Sequence, residues 1–169
     1  QPANLINKYH PAEVNIVVTN FIHTEDLITD EWDIIVLQRQ AESNVAKMLQ
    51  ENKGHIKPKL VVEFDDHPYI VPRSNPAYDY YKDKLQNITN TIQLCNAMTV
   101  STKPLKDFFK TMLSDDKIFI VPYTIDLKLV EGLKQSNRYT DKEEIAIGWF
   151  GSATHKEDLA IIADAVMAI

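Results

Sequence analysis

The side chains most able to do chemistry fall in two short stretches. The first is Glu63-Phe64-Asp65-Asp66-His67-Pro68, with three carboxylates and an imidazole within five residues. Such a group is costly to bury without partners, so it belongs at an opening. Neighbouring carboxylates push one pKa upward, and a raised carboxyl can serve as general acid or base. Asp65 and Asp66 are the candidate catalytic pair, with His67 lining the same cleft. The residues leave two other readings open: a solvated acidic turn, or Asp side chains capping backbone N–H groups. A divalent metal is also conceivable on ligand type alone, since clustered oxygens suit Mg²⁺ or Mn²⁺.

The second stretch runs from Ile147 to Leu159 through Gly148, Trp149, Gly151, Ser152, Thr154, His155 and Lys156. A β-branched run enters a small-residue loop that opens a helix. Thr154 and Glu157 have capping-box spacing, so the helix start is marked. The unpaired N–H groups and the positive end of the helix dipole then face the loop and favour a phosphate. Gly151, Ser152, Thr154, His155 and Lys156 are the candidate anion ligands. Two glycines fall short of the dinucleotide fingerprint, so an ordinary strand–helix turn stays open.

Two smaller signals end apolar runs. Gln38 and Arg39 follow Ile34-Ile35-Val36-Leu37, and Arg39 can grip a phosphate or carboxylate bidentately or pair with Asp65 or Asp66. Tyr123 and Asp126 follow Ile118-Phe119-Ile120-Val121-Pro122 and can border the same cleft, or belong to a plain proline turn. His10, His23 and His55 lack metal-ligand spacing. Cys95, the only cysteine, excludes an internal disulfide and reads as a core thiol.

These groups need a scaffold to position them. Strands are expected at Val14–Thr19, at Asp33–Leu37 (an unbroken apolar run suited to burial on both faces), and at Lys59–Phe64, Ala97–Val100, Lys117–Val121 and Ile145–Gly148. Helices are expected from Ser43 as cap to about Lys53, over Tyr80–Asn96, from Ser101 as cap with Pro104 in the first turn, and from about His155. The Pro-rich stretch Asp65–Tyr78 is expected to be irregular. Strands alternating with helices predict an α/β fold with a Rossmann-like, mainly parallel sheet and ligands beyond the strands' carboxyl ends.

At 169 residues the chain can hold one domain and part of another. A formal net charge of -6 argues against broad nucleic-acid binding, which needs clustered Lys and Arg. No run is long enough for a transmembrane segment. No signal peptide opens the chain, and the single cysteine fits a reducing compartment, so a cytoplasmic location is expected. The first residues lack an initiator Met and the last stop within a helical pattern, so a fragment of a longer chain is expected.

Taken in order, six segments resemble the two-domain GT-B glycosyltransferases, group 1 or family 4-like, of bacterial or phage type. They are Trp32–Arg39, Leu60–Asp66, Ile70-Val71-Pro72 with Asn75-Pro76, Ala97–Thr102, Ile118–Asp126 and Ile147–Leu159. The resemblance implies an acceptor-side Rossmann-like domain over 1–126, incomplete at its N-terminus. It implies a linker over 127–143 and, over 144–169, the truncated start of a nucleotide-sugar-binding domain. It further implies a hexosyltransferase-like enzyme of carbohydrate biosynthesis, moving sugar from a nucleoside-diphosphate sugar to a saccharide, lipid-linked or protein hydroxyl. No cofactor beyond that co-substrate and no metal are expected. Gly151, Ser152, Thr154, His155 and Lys156 would meet the donor diphosphate. Asp65 or Asp66 would orient or deprotonate the acceptor, and Gln38, Arg39, His67, Tyr123 and Asp126 would line the cleft. The fragment alone would be inactive. The alternative is a catalytically inactive GT-B-like binding or structural module. A different doubly wound enzyme ranks last, because no full glycine fingerprint accompanies the first strand.

Overall fold

The structure is a computed structural model that describes residues 2–124, 131, 147–149, 151 and 156–168. Its centre is a four-stranded, all-parallel sheet flanked by helices, an α/β Rossmann-like arrangement. The strands are β1 (Ile34–Gln38), β2 (Lys59–Phe64), β3 (Ala97–Val100) and β4 (Ile118–Ile120), paired in chain order. Preceding them are helices α1 (Pro2–Tyr9) and α2 (Thr24–Ile28). The crossovers carry α3 (Ser43–Glu51), the pair α4 (Tyr78–Tyr81) and α5 (Leu85–Leu94), and α6 (Lys103–Phe109). Helix α7 (Lys156–Met167) comes last.

Strand order and crossover hand together decide where the core lies. When each right-handed crossover steps the same way along a sheet, every crossover helix falls on the same face. Side-chain burial follows that rule. Leu37, Leu60, Val62, Phe64, Met98, Val100 and Ile118 are buried together with Val45, Leu49, Ile88, Ile92, Leu105 and Phe109 from the helices. On the opposite face Ile34 and Val36 are 57% and 56% exposed and Phe119 is 53% exposed. The expectation that the first apolar strand is buried on both sides is therefore corrected: Ile35 and Leu37 turn inward, and Ile34 and Val36 do not.

Local chemistry shifts several boundaries. Ser43 is the first residue of α3 and not its cap; Glu42 holds that position, with its N–H donating to Gln40 Oε1 at 2.8 Å. The helix expected over Tyr80–Asn96 is two pieces separated by a turn, in which Lys84 N–H donates to Tyr81 O at 2.8 Å. Its apolar spacing still holds, because Tyr81, Ile88, Ile92 and Cys95 are all buried. Burial pushes the Cys95 thiol up to about 12, which keeps it protonated and unreactive. Thr102, not Ser101, caps α6, accepting from Leu105 N–H at 3.5 Å. Ser101 instead donates to the Asp65 carbonyl at 3.3 Å and so ties the end of β3 to the end of β2. Val14–Thr19 forms no strand. Both backbone groups of Ile16 bond to the Asn7 side chain, which leaves them unavailable to a ladder. Of the expected strand Ile145–Gly148 only Ile147 and Gly148 are described, and neither lies in a strand; the linker 127–143 lies outside the described residues apart from Glu131.

Candidate functional site

The carboxyl ends of β1, β2 and β4 bring Arg39, Asp65, Asp66 and Tyr123 together. Arg39 N–H donates to the Glu63 carbonyl at 2.9 Å, the last rung between β1 and β2. Its φ of 48° is left-handed, a conformation uncommon for a residue with a side chain. The guanidinium forks onto Asp65, Nε to Oδ1 and Nη2 to Oδ2, and Nη2 also lies 3.2 Å from Asp66 Oδ2. This bidentate geometry suits Arg and not Lys. The Asp65 side chain is 10% exposed while Arg39 is 46% exposed, so the pair straddles the surface.

Each charge answers to its neighbours. Burial pushes the Asp65 carboxyl up, but the Arg39 fork, the Tyr123 hydroxyl and the Arg39 charge together outweigh it and hold Asp65 below the usual range. The same hydrogen bond to Asp65 raises Arg39 further, so both partners stay ionised. Tyr123, past the end of β4, is pushed up to about 12 by desolvation of its hydroxyl and by the Asp65 hydrogen bond, although its ring is largely exposed. Asp65 is thus a firmly ionised carboxylate already engaged by two donors, better placed to hold Arg39 than to take a proton.

Glu63 is the carboxylate that sequence reasoning left out of the site. It pairs in register with Gln38 on β1 and Thr99 on β3, half-buried on the face without crossover helices. Burial raises its pKa, the Asp65 charge adds to that, and Arg39 opposes it. The strand alternation Lys59, Val61, Glu63 was the available signal. Gln38 is exposed at the end of β1, next to Glu63 in the ladder.

His67 is placed differently from the carboxylates. Its ring packs at 4.0 Å from the Phe108 ring and 6.3 Å from those of Tyr69 and Phe109. Burial lowers its pKa, and its Nδ1 has no hydrogen-bond partner among the described residues. The imidazole is therefore neutral and seated among aromatics, where it anchors the loop after β2. Phe108→Ala is expected to raise the His67 pKa toward its ordinary value as water reaches the ring. An NMR pH titration of the imidazole checks this, and an unmoved midpoint would show that Phe108 does not shield it.

Of the second stretch, Gly151 and the start of α7 are described; Ser152, Thr154 and His155 lie outside the described residues, as does Asp126. A Cβ at Gly151 would meet the far edge of the half-exposed Trp149 indole, so that ring would have to shift. Lys156 is the first residue of α7, and Glu157 and Asp158 follow in its first turn. A shallow groove of about 310 Å³ runs between Ile147–Trp149 and the Leu159, Ile162 and Val166 side of α7, with an almost wholly apolar lining.

Among the described residues, no cluster of three or more His, Cys, Asp or Glu side chains is arranged for a metal ion. Arg39 occupies the space between Asp65 and Asp66 that a cation would need. No helix among the described residues is long and apolar enough to cross a membrane. Comparison with known proteins finds no matching family model, no similar curated protein and no similar solved structure.

Proposed function

We propose that the chain is part of a glycosyltransferase that moves a sugar from a nucleoside-diphosphate sugar to a hydroxyl acceptor. The observation carrying this reading is the convergence of Arg39, Asp65, Asp66 and Tyr123 at the carboxyl ends of parallel strands. In open parallel α/β sheets ligands bind beyond the carboxyl ends of the strands, characteristically where strand order reverses, a point that the four described strands do not include. In the reaction the anomeric carbon–oxygen bond to the diphosphate breaks, the acceptor oxygen bonds to that carbon, and the acceptor proton leaves to a base. Asp65 holds Arg39 in place. Asp66 and the raised Glu63 carboxyl are the groups left to orient the acceptor hydroxyl and receive its proton. Gln38 and Tyr123 supply neutral hydrogen-bonding groups suited to a polyol.

The departing diphosphate is assigned, on the sequence pattern, to the stretch from Gly148 to Lys156. Backbone N–H groups there, with Ser152, Thr154 and His155, would stabilise its growing charge, and Lys156 would add a point charge. Calorimetric titration of the full-length protein with UDP and with GDP tests the assignment. Ser152→Ala combined with His155→Ala is expected to weaken nucleotide binding by about tenfold or more, the loss of one to two charge-assisted hydrogen bonds. Equal affinity in the double variant would remove Ser152 and His155 from the site.

A further inference from the structure

We propose that Val14–Thr19 is a fifth strand held in reserve: it pairs parallel to the free edge of β1 when released, and Asn7 is the catch that keeps it off. This goes beyond sugar transfer and does not depend on it.

The edge comes first. Asp33 O accepts from Lys59 N–H and Arg39 N–H donates to Glu63 O, so residues 33 and 39 face β2. In a parallel ladder alternate residues address the same neighbour. Ile34, Val36 and Gln38 therefore turn their N–H and C=O groups outward, where the sheet has no further strand among the described residues. The edge has no Pro, no bulge and no Lys or Glu between Ile34 and Gln38 to discourage pairing.

The segment comes second. Val14-Asn15-Ile16-Val17-Val18-Thr19 is strongly strand-prone, yet Val17 is 60% and Val18 62% exposed. Asn7 ties its middle to α1 and so holds it in its present place. Its Nδ2 donates to Ile16 O at 2.6 Å, and Ile16 N–H donates to its Oδ1 at 2.8 Å. One carboxamide thus takes both backbone groups of one residue, as a neighbouring strand would.

Topology permits the move. The connection from Thr19 to β1 contains α2 and exceeds the dozen or so residues a parallel crossover needs. Leu27 of α2 is fully buried in the core under the crossover helices, and its carbonyl accepts from Lys57 N–H at 2.9 Å. A right-handed crossover from a strand outside β1 would put α2 on that side. A parallel fifth strand would end level with β1. Asn20 and Phe21, the latter now 74% exposed, would then border Gln38 and Arg39 and extend the wall of the carboxyl-end cleft.

Residue-resolved hydrogen–deuterium exchange on the intact chain tests this. In the wild type the outward amides of Val36 and Gln38 should exchange quickly. In Asn7→Ala they should slow by about tenfold or more, together with alternate amides of Val14–Thr19. Asn7→Asp, which keeps the acceptor for Ile16 N–H and loses the donor, should fall between. Slow exchange across Leu60–Phe64 reports in the same experiment that the sheet is intact. Val36 and Gln38 amides staying fast in Asn7→Ala over an intact sheet would overturn the proposal. So would protection that grows with protein concentration, since the added strand would then come from a second copy.

Discussion

Phe109→Ala is expected to lower the free energy of unfolding by about 3–5 kcal/mol, the range for an aromatic truncated in a close-packed core. Phe109 is 0% exposed and lies 5.8 Å from the Phe64 ring at the end of β2. It also touches the aromatic group formed by His67, Tyr69 and Phe108. The position joins the core to the loop that carries Asp65 and Asp66, so the cavity opens beneath the site. Urea denaturation followed by circular dichroism measures the effect. A loss below about 1 kcal/mol would mean that the surrounding rings collapse into the space, contrary to the rigid packing argued here.

Asp65→Asn should destabilise the protein by about 1–2 kcal/mol at neutral pH. That is the lower part of the range for a charged hydrogen bond, because Arg39 is nearly half exposed and solvent screens the pair. The pH dependence identifies the cause. The folded Asp65 carboxyl lies below its ordinary value. Its contribution is therefore fully present above the unfolded pKa of about 3.9 and is lost as pH falls through the lower folded value. The gap between wild type and Asp65→Asn should be flat from neutral pH down to about pH 5 and close in more acidic solution. A gap that is unchanged under strongly acidic conditions would point to packing and not charge. Under the proposed function the same variant frees the guanidinium to swing, and transfer should drop by about a hundredfold, as displacement of a positioning group does.

Much of this architecture can be read from residue order, for reasons visible at particular positions. Short strand-prone runs at Leu60–Phe64 and Ala97–Val100 and the helical spacing of Tyr81, Ile88, Ile92 and Cys95 leave few choices besides alternating strands and helices. The meeting of Arg39 with Asp65 and Asp66 follows from both lying just past neighbouring parallel strands. Other features depend on contacts distant in sequence. A capping competition between Ser101 and Thr102 is settled when Ser101 finds the Asp65 carbonyl. Strand propensity at Val14–Thr19 gives way to one side-chain amide on α1. His67 looks like a cleft residue by its neighbours in sequence, and only the fold brings Phe108 and Phe109 against it. Glu63 is read as part of the acidic stretch but not as a site residue, because it lies within the strand and its half-burial appears only when the sheet has a side free of crossover helices.

Pairing every strand with its immediate predecessor has a consequence for how the molecule is made. No strand has to wait for one synthesised much later, as the central strand of a sheet that grows outward from its middle must. Strand contacts stay shorter in sequence than in a sheet that grows outward from its middle, which lowers the loop-closure cost of each pairing. On the ribosome, each newly emerged βα unit meets a template already in place, so the sheet can lengthen by accretion from one end as translation proceeds.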